Sequence, residues 1–193
     1  NEVVAAVEAA GRRAVALQAD VSIEAEAIRL FVDCAARLGA LGGLVNNAGG
    51  NVTRPVLDYG EDQWRGIFEV NLFSAFELCR GAYPLLAKHA SSAIVNVGSV
   101  SGITHVRSGA PYGMSKAALH QMTRNLAVEW AEDGVRVNSV APWYIRTRRT
   151  SSKLADPDYL DEVLLRTPLG RVGEPEEVAA AVANRRRRSQ RSS

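Results

Sequence analysis

The sequence has few of the features that mark membrane-spanning, disulfide-linked or fibrous proteins. No apolar stretch approaches the roughly 18–20 residues of a membrane span, and the first residues lack the basic leader and apolar run of a signal peptide. Only two cysteines occur, Cys34 and Cys79, so a disulfide framework is excluded and reduced thiols are expected. There is no internal repeat, and no metal site is predicted. We therefore predict a cytoplasmic globular protein without a membrane span.

The positive charge of the chain is concentrated at one end. Apolar residues make up 47% of the 193 positions and charged residues 23%, which suffices for one ordinary core. The formal net charge is +2, but five arginines lie in the last nine residues, and without those five charges the remainder carries −3. We predict one domain over residues 1–183, followed by a basic tail over residues 184–193 that is expected to be disordered.

Apolar residues alternate between helical and strand spacing along the chain. Strands are predicted at residues 14–20, 43–49, 93–99 and 135–142, and helices at 1–10, 22–38 (with Ser22 as the cap), 62–88, 112–132, 157–166 and 175–183. Short apolar strands separated by helices are typical of an α/β fold with a doubly wound parallel sheet. Ligands of such sheets bind beyond the carboxyl ends of the strands. This directs attention to Asp20, residues 46–50, Ser99 and residues 142–147.

Four polar residues near these strand ends suggest proton-transfer chemistry. Tyr112 and Lys116 lie one turn apart on a predicted helix and project from one face. A lysine ammonium beside a phenol lowers the tyrosine pKa from about 10, so Tyr112 can exchange a proton with a carbonyl or alcohol oxygen. Ser99 ends a strand and can hydrogen-bond the same oxygen. Asn71 stands inside a predicted helix, where asparagine is disfavoured, and can hold a water or carbonyl in a relay to Lys116. Each residue alone is more often structural.

In combination, these residues resemble the short-chain dehydrogenase/reductase family over residues 1 to 183. The motifs that carry the resemblance occur in one order: Asn46-Asn47-Ala48-Gly49, Asn71, Ser99-Val100-Ser101-Gly102 and Tyr112-Gly113-Met114-Ser115-Lys116. Residues 125–131, 136–143 and 166–175 are similar to segments of plant tropinone reductases and their homologues. The resemblance implies hydride transfer between a nicotinamide cofactor and a ketone or secondary alcohol. NADP(H) is the implied cofactor, with NAD as the alternative.

The resemblance also implies a role for each matched position. Tyr112 would be the general acid/base, Lys116 would lower its pKa and bind the nicotinamide ribose, and Ser99 would orient the substrate carbonyl. Asn71 would complete the proton relay. The other implied cofactor contacts are Asp20 and Val21 at the adenine, Asn46, Ala48 and Gly49 along the cofactor backbone, and Ile145 and Thr147 at the carboxamide. The implied walls of the substrate pocket, beside Ser99 and Tyr112, are Val106, Tyr144, Leu154 and Tyr159.

The sequence departs from the family pattern at both ends. No G-x-x-x-G-x-G motif occurs ahead of Asn46, so the glycine-rich turn that seats the cofactor pyrophosphate on a helix N-terminus is missing. The residues that distinguish NAD from NADP are missing with it. After Ala183 the family continues into a last strand, where this sequence has the arginine run. We therefore expect a sheet truncated at both ends, with strand 14–20 separated from the others, and impaired activity.

Three functions are compatible with this pattern. The first is a tropinone-reductase-like oxidoreductase that acts on a small ketone or alcohol. The second is a non-catalytic fragment that associates with full-length relatives through helices 62–88 and 112–132, which pack into dimers in the family; a folded chain is accordingly expected to be a homo-oligomer. The third is nucleic-acid binding by the arginine tail, which is disfavoured because no aromatic residue interleaves the run.

Overall fold

Three parallel strands form the centre of the fold, which the computed structural model describes over residues 2–89 and 91–186. The strands are β1 (Gly43–Asn46), β2 (Ser92–Val97) and β3 (Val135–Val140), in the order β1-β2-β3. The register places Asn46 opposite Asn96 and Asn96 opposite Ser139. Because the strands run in the same direction, their carboxyl ends meet at one edge of the sheet. The strands predicted at 43–49, 93–99 and 135–142 are confirmed and slightly shorter than expected.

Helices cover both faces of this sheet. The described helices are α1 (Glu2–Ala9), α2 (Glu24–Leu38), α3 (Glu61–Phe68), α4 (Ser74–Leu86), α5 (Ala110–Glu129), α6 (Ser151–Leu154), α7 (Pro157–Leu165) and α8 (Pro175–Arg186). Helices α4 and α5 pack on the face that carries Leu44 and Ile94. Helix α8 packs against β2 and β3 and shares a cavity with Val45 and Val97, whose side chains alternate to the opposite face. The prediction of a doubly wound α/β fold is confirmed; the short helix α6 was not predicted.

The main core lies between the sheet and helices α4 and α5. Its buried members are Cys79, Ala82, Leu86, Ile94, Leu126, Trp130, Val135 and Val137. Burial of the larger aliphatic side chains, such as Leu86 and Ile94, contributes about 1.5–3 kcal/mol each. The core therefore fixes α5 against β2 and β3, and with it the end of the helix that carries Tyr112 and Lys116. Both cysteines, Cys34 and Cys79, are free thiols.

The strand predicted at residues 14–20 is wrong, because residues 12–20 form neither a helix nor a strand. A strand needs a neighbour to receive its backbone hydrogen bonds, and none of the described strands lies beside this segment. Ser22 does not cap α2 either: its N and Oγ donate to the Asp20 carboxylate at 2.9 and 2.6 Å. Helix α2 begins after Ile23, whose side chain makes no cap hydrogen bond.

One π-helical turn interrupts the helix predicted at residues 62–88. It comprises residues 69–73 between α3 and α4, and the Ser74 N–H donates to the carbonyl of Glu69, five residues back. Asn71 lies within this turn and is only 1% exposed. Single π turns occur often at functional sites. The extent of the predicted helix is confirmed, but hydrophobic periodicity does not distinguish this turn from regular α-helix.

The end of the predicted domain also needs a correction. Residues 184–186, assigned to a disordered tail, belong to α8, and the carbonyl of Arg185 accepts a hydrogen bond from Arg136 Nη1 at 2.8 Å. The rest of the predicted tail, residues 187–193, lies outside the described residues. Within the described part of the chain, no helix combines the length and apolar character needed to cross a membrane.

Candidate active site

A large cavity opens where the carboxyl ends of the three strands meet. Its volume is about 1150 Å³. Ser99, just after β2, and Tyr112, in the first turn of α5, both line it. The predicted substrate walls Val106, Tyr144 and Tyr159 line the same cavity. The structure therefore places Ser99 and Tyr112 at one cavity at this edge of the sheet.

Leu154 is not part of this wall. It is 4% exposed and packs in a small separate core with Val163 and Val172, so its assignment to the substrate pocket is wrong. The side chains of Tyr144 and Tyr159 pack against this small core, and their hydroxyl groups are hydrogen-bonded to each other at 2.8 Å. Burial and this hydrogen bond raise the Tyr144 pKa. Leu154 therefore belongs to the core against which the wall residues Tyr144 and Tyr159 pack.

Lys116 lies one helical turn behind Tyr112. Its Nζ is 5.8 Å from the centre of the Tyr112 ring and donates to the carbonyl oxygen of Val97 at 2.9 Å. The residue is 5% exposed. Burial, with a smaller contribution from the positive charge of Arg149, lowers the pKa of Lys116 to about 8. A lysine with this pKa exchanges protons readily near neutral pH while its ammonium form still stabilises a nearby phenolate.

The lowered pKa predicts how stability depends on pH. The folded chain binds the Lys116 proton with a pKa of about 8, against 10.5 for the ordinary lysine, so between these values the unfolded chain holds more protons. Stability should therefore rise with pH in this window, by at most about 1.4 kcal/mol per pH unit. Urea denaturation at several pH values should show the wild type gaining on Lys116→Met as pH rises, whereas the exposed-site control Lys88→Met should track the wild type. A pH-independent gap between wild type and Lys116→Met would contradict this.

Asn71 fastens the loop that follows β1. Its Oδ1 accepts from the N–H of Gly50 at 2.8 Å and its Nδ2 donates to the carbonyl of Gly50 at 2.8 Å. Its Nδ2 also lies 3.3 Å from Ser115 Oγ. A Cβ on Gly49 would lie 3.0 Å from Asn71 Oδ1 and 3.7 Å from Lys116 Nζ. Asn71 and Lys116 therefore meet at this loop, although among the described contacts no direct hydrogen bond joins them.

Ser99 is held in place by a residue that the motifs did not reveal. The Ser99 hydroxyl accepts a hydrogen bond from the N–H of Ser101 at 3.1 Å. The Ser99 carbonyl lies 3.0 Å from Nε2 of His120, and Nδ1 of His120 lies 3.0 Å from Ser139 Oγ. The Ser99 N–H also lies 3.4 Å from the same Nε2, so the ring contacts both backbone polar groups of Ser99. The signal was in the sequence, since Tyr112, Lys116 and His120 recur at intervals of four on one face of α5.

The His120 ring occupies the space beside Gly98. A Cβ on Gly98 would lie 2.2 Å from His120 Cε1 and 2.9 Å from Ser139 Oγ. We expect Gly98→Ala to lower the free energy of unfolding by about 1–3 kcal/mol through overpacking, and to cost less in a His120→Ala background, where the ring is absent. A double-mutant cycle by urea denaturation measures this coupling. Gly66→Ala is the control, because a Cβ there meets nothing within 4 Å. Additive costs would show that the ring does not set the requirement for glycine.

The predicted cofactor residues divide between two cavities. Ile145 and Thr147 line the large cavity together with Tyr112. Val21, Asn46 and Ala48 instead line a second cavity of about 250 Å³, and Asn47 lines both. Asp20 lines neither of these cavities, and its hydrogen bonds from Ser22 lower its pKa. Ile145 and Thr147, predicted to contact the nicotinamide half of the cofactor, thus lie at the large cavity. Asp20, predicted to contact the adenine half, does not.

The side chain of Asn46 points into the interior of the fold. Its Nδ2 donates to Asn96 Oδ1 at 2.8 Å and lies 3.3 Å from Cys79 Sγ, and Asn96 donates in turn to Thr123 Oγ1 at 2.9 Å. Burial raises the pKa of the Cys79 thiol to about 12, so this sulfur is not a nucleophile. Asn46 therefore ties β1 to β2 and α5, and its side chain does not face the large cavity.

Comparison with known proteins decides the family. A family model described as enoyl-(acyl carrier protein) reductase matches residues 1–184. The chain belongs to the short-chain dehydrogenase/reductase family. The Arabidopsis thaliana tropinone reductase homolog At5g06060 is 44% identical to this family member over 165 residues, which are 85% of the chain and 62% of the relative. Senescence-associated protein 13 of the same plant is 43% identical over 145 residues, 75% of the chain and 54% of the relative.

Solved structures of other short-chain dehydrogenases/reductases superpose closely on this one. A candidate short-chain alcohol dehydrogenase from Sinorhizobium meliloti 1021 is 36% identical, with a TM-score of 0.90 over 95% of this chain and 73% of its own. A candidate NAD(P)-dependent gluconate 5-dehydrogenase from Beutenbergia cavernae, which holds NADP at low occupancy, is 33% identical, with a TM-score of 0.89 over 96% of this chain and 74% of its own. This short-chain dehydrogenase/reductase thus spans less than two thirds of the curated relative named first.

Proposed function

We propose that the chain is an NADP(H)-dependent oxidoreductase of the tropinone-reductase-like kind, which interconverts a ketone and a secondary alcohol. The observation that carries this proposal is the shared cavity, which Ser99 and Tyr112 line while Lys116 lies one turn behind the tyrosine. Relatives at 41–44% identity are named as tropinone reductase homologs.

The chain's residues would move one proton and hold one oxygen. During reduction, the Tyr112 hydroxyl donates its proton to the substrate oxygen, and the Lys116 ammonium stabilises the phenolate that remains. Ser99 Oγ already accepts from Ser101 N–H, which leaves its own proton to donate to the same substrate oxygen. Asn71 holds the Gly50 backbone, next to the Gly49 position near Lys116 Nζ, where a bound water would complete the proton relay.

The nicotinamide cofactor, when bound, supplies or accepts the hydride. Ile145 and Thr147 would hold its carboxamide and Lys116 its ribose, and a cavity of about 1150 Å³ accommodates a nicotinamide nucleoside together with a small substrate. These residues fit the nicotinamide half of the cofactor. The adenine half is not matched in the same way, since Asp20 lies outside the large cavity. NADP is the proposed cofactor because the structural neighbour from Beutenbergia cavernae holds it.

The test is ketone-dependent oxidation of NADPH. We propose that the 193-residue chain alone is impaired. The assay therefore compares it with a chimera that carries the N-terminal segment of the At5g06060 relative ahead of residue 1. Loss of absorbance from the reduced nicotinamide should depend on an added ketone, and chromatography should show one alcohol formed per NADPH consumed. A folded chimera that consumes NADPH with no member of a broad ketone panel would refute the proposal.

Association with a second chain is the other candidate function. Apolar side chains are exposed on the helices predicted to pair: Phe73 at 48% and Phe76 at 41% in or next to α4, and Met114 at 58% and Val128 at 80% on α5. Exposed apolar side chains on these helices favour a protein interface there. Sedimentation of the chain, alone and mixed with the full-length relative, tests self-association and association with that relative. A monomer under both conditions would exclude this candidate.

A further inference from the structure

Positive charge lines the large cavity. Arg107, Arg149 and Lys153 contribute to its wall, and among the described residues no aspartate or glutamate does. The walls beside them are largely apolar and include Val106 and Trp143. Such a cavity favours a ligand with an apolar body and a negatively charged group.

Two of the three cations are unpaired. Arg107 forms an ion pair with Glu162 and lies 5.7 Å from the centre of the Tyr159 ring, so its charge is already partly balanced. In the described part of the chain, the side chains of Arg149 and Lys153 make no hydrogen bond or ion pair, although the Lys153 backbone carbonyl accepts from the Asp156 N–H. A cation that faces a cavity without a partner is available to an anionic ligand.

These two cations line the same cavity as the proton-transfer residues Ser99 and Tyr112. The charge of Arg149 lowers the pKa of Lys116, which places Arg149 within electrostatic reach of that ammonium. Lys153 lies in α6, four positions after Arg149. Both belong to the segment that follows β3 and borders the cavity, whereas Ser99 and Tyr112 border it from β2 and α5. A ligand with its carbonyl at Tyr112 therefore shares this cavity with the side chains of Arg149 and Lys153.

We propose that the substrate is a carbonyl compound that also carries a carboxylate, bound by Arg149 and Lys153 while Ser99 and Tyr112 hold its carbonyl oxygen. This inference rests on the proposed function and names the substrate class of the same site. Charge-assisted hydrogen bonds to the carboxylate would orient the substrate. The same cations would disfavour a substrate with a protonated amine. Phosphate groups share the anionic chemistry, so the experiment separates a substrate carboxylate from a phosphate ligand.

The experiment measures binding by calorimetry without cofactor. The ligands are 4-oxo-4-phenylbutanoate and its primary amide, which share the ketone and the aromatic ring and differ in charge. We expect the carboxylate to bind at least about tenfold more tightly than the amide, the effect of one charge-assisted hydrogen bond. Arg149→Gln and Lys153→Gln should each remove most of that preference without weakening the amide. Their exposed positions make misfolding of these variants an unimportant outcome, and circular dichroism checks it.

Arg148→Gln is the matched control. It removes the same charge from the neighbouring residue, and Arg148 does not line the cavity, so the carboxylate preference should persist. Equal binding of the acid and the amide, no binding of the acid, or equal effects of Arg148→Gln and Arg149→Gln would each overturn the proposal. So would an Arg149-dependent affinity for inorganic pyrophosphate combined with no preference for the carboxylate, since the cations would then serve a phosphate ligand.

This design separates the inference from the proposed function. Binding is measured without NADPH and without turnover, so a carboxylate preference in a chimera that never oxidises NADPH would refute the function alone. Conversely, NADPH-dependent reduction that favours neutral ketones over their carboxylated counterparts would support the function and overturn the inference.

Discussion

Residues 1–193 should bind NADPH about a thousandfold more weakly than the At5g06060 relative does. No G-x-x-x-G-x-G turn occurs in the sequence to direct backbone N–H groups at the pyrophosphate. Asp20, the residue predicted at the adenine, lies outside the large cavity. Loss of three charge-assisted hydrogen bonds at about 1.5–3 kcal/mol each weakens binding by roughly three orders of magnitude or more. Calorimetric titration of both proteins at equal ionic strength measures the difference.

A shorter ligand provides the control for this prediction. Reduced nicotinamide mononucleotide lacks the adenine half, so the two proteins should differ much less in their affinity for it. The residues proposed to hold that half, Ile145, Thr147 and Lys116, are all present at or beside the large cavity. A low-micromolar dissociation constant for NADPH would show that the chain holds the pyrophosphate by residues other than a glycine-rich turn.

Tyr112→Phe in the chimera should abolish ketone reduction and leave NADPH affinity nearly unchanged. The substitution removes the proton donor and keeps the ring that lines the cavity, and general acid catalysis contributes about 10²–10⁴-fold. Tyr83→Phe is the matched control, because the Tyr83 hydroxyl donates to Asp133 at 2.8 Å and the residue does not line the large cavity. Lys116→Ala should impair both turnover and NADPH affinity, since this lysine is proposed to serve the tyrosine and the ribose.

Steady-state rates with NADPH saturating, and NADPH titrations without ketone, separate the two effects. Retained turnover in Tyr112→Phe would assign the proton to another group and overturn the role of Tyr112. A loss of NADPH affinity as large as the loss of rate would indicate a structural effect, which the Tyr83→Phe control is designed to expose.

The sequence predicted what depends on local pattern. Strands β1 to β3 and the extent of most helices follow from apolar spacing, and the position of Ser99 and Tyr112 at one cavity follows from strand ends that share an edge. The strand predicted at residues 14–20 did not form, because strand formation also depends on contacts that are not local. The strand spacing of these residues is genuine, but strand formation depends on a neighbouring strand, which periodicity does not supply.

Contacts between residues that are distant in the sequence could not be predicted from local patterns. Asn46 is the last residue of a strand, where ligand-binding residues often lie, yet its amide is hydrogen-bonded to Asn96 and its side chain faces inward. His120 has helical spacing with Lys116, but its role depends on two elements that meet only after folding, the Ser99 carbonyl and Ser139. The π turn at Asn71 likewise depends on Gly50, a partner 21 positions away.

That π turn constrains how the chain tolerates insertions and deletions. A regular α-helix advances about 100° per residue, so the extra residue of a π turn sets the rotation of everything after it relative to everything before it. Here it lets Asn71 reach Gly50 while Cys79, Ala82 and Leu86 still face the sheet. Deleting one residue from the turn would restore regular α-helical geometry. It would also rotate either Asn71 away from Gly50 or the core residues of α4 away from the sheet. Geometry therefore fixes the length of this segment more strictly than it fixes the side chains that the turn exposes.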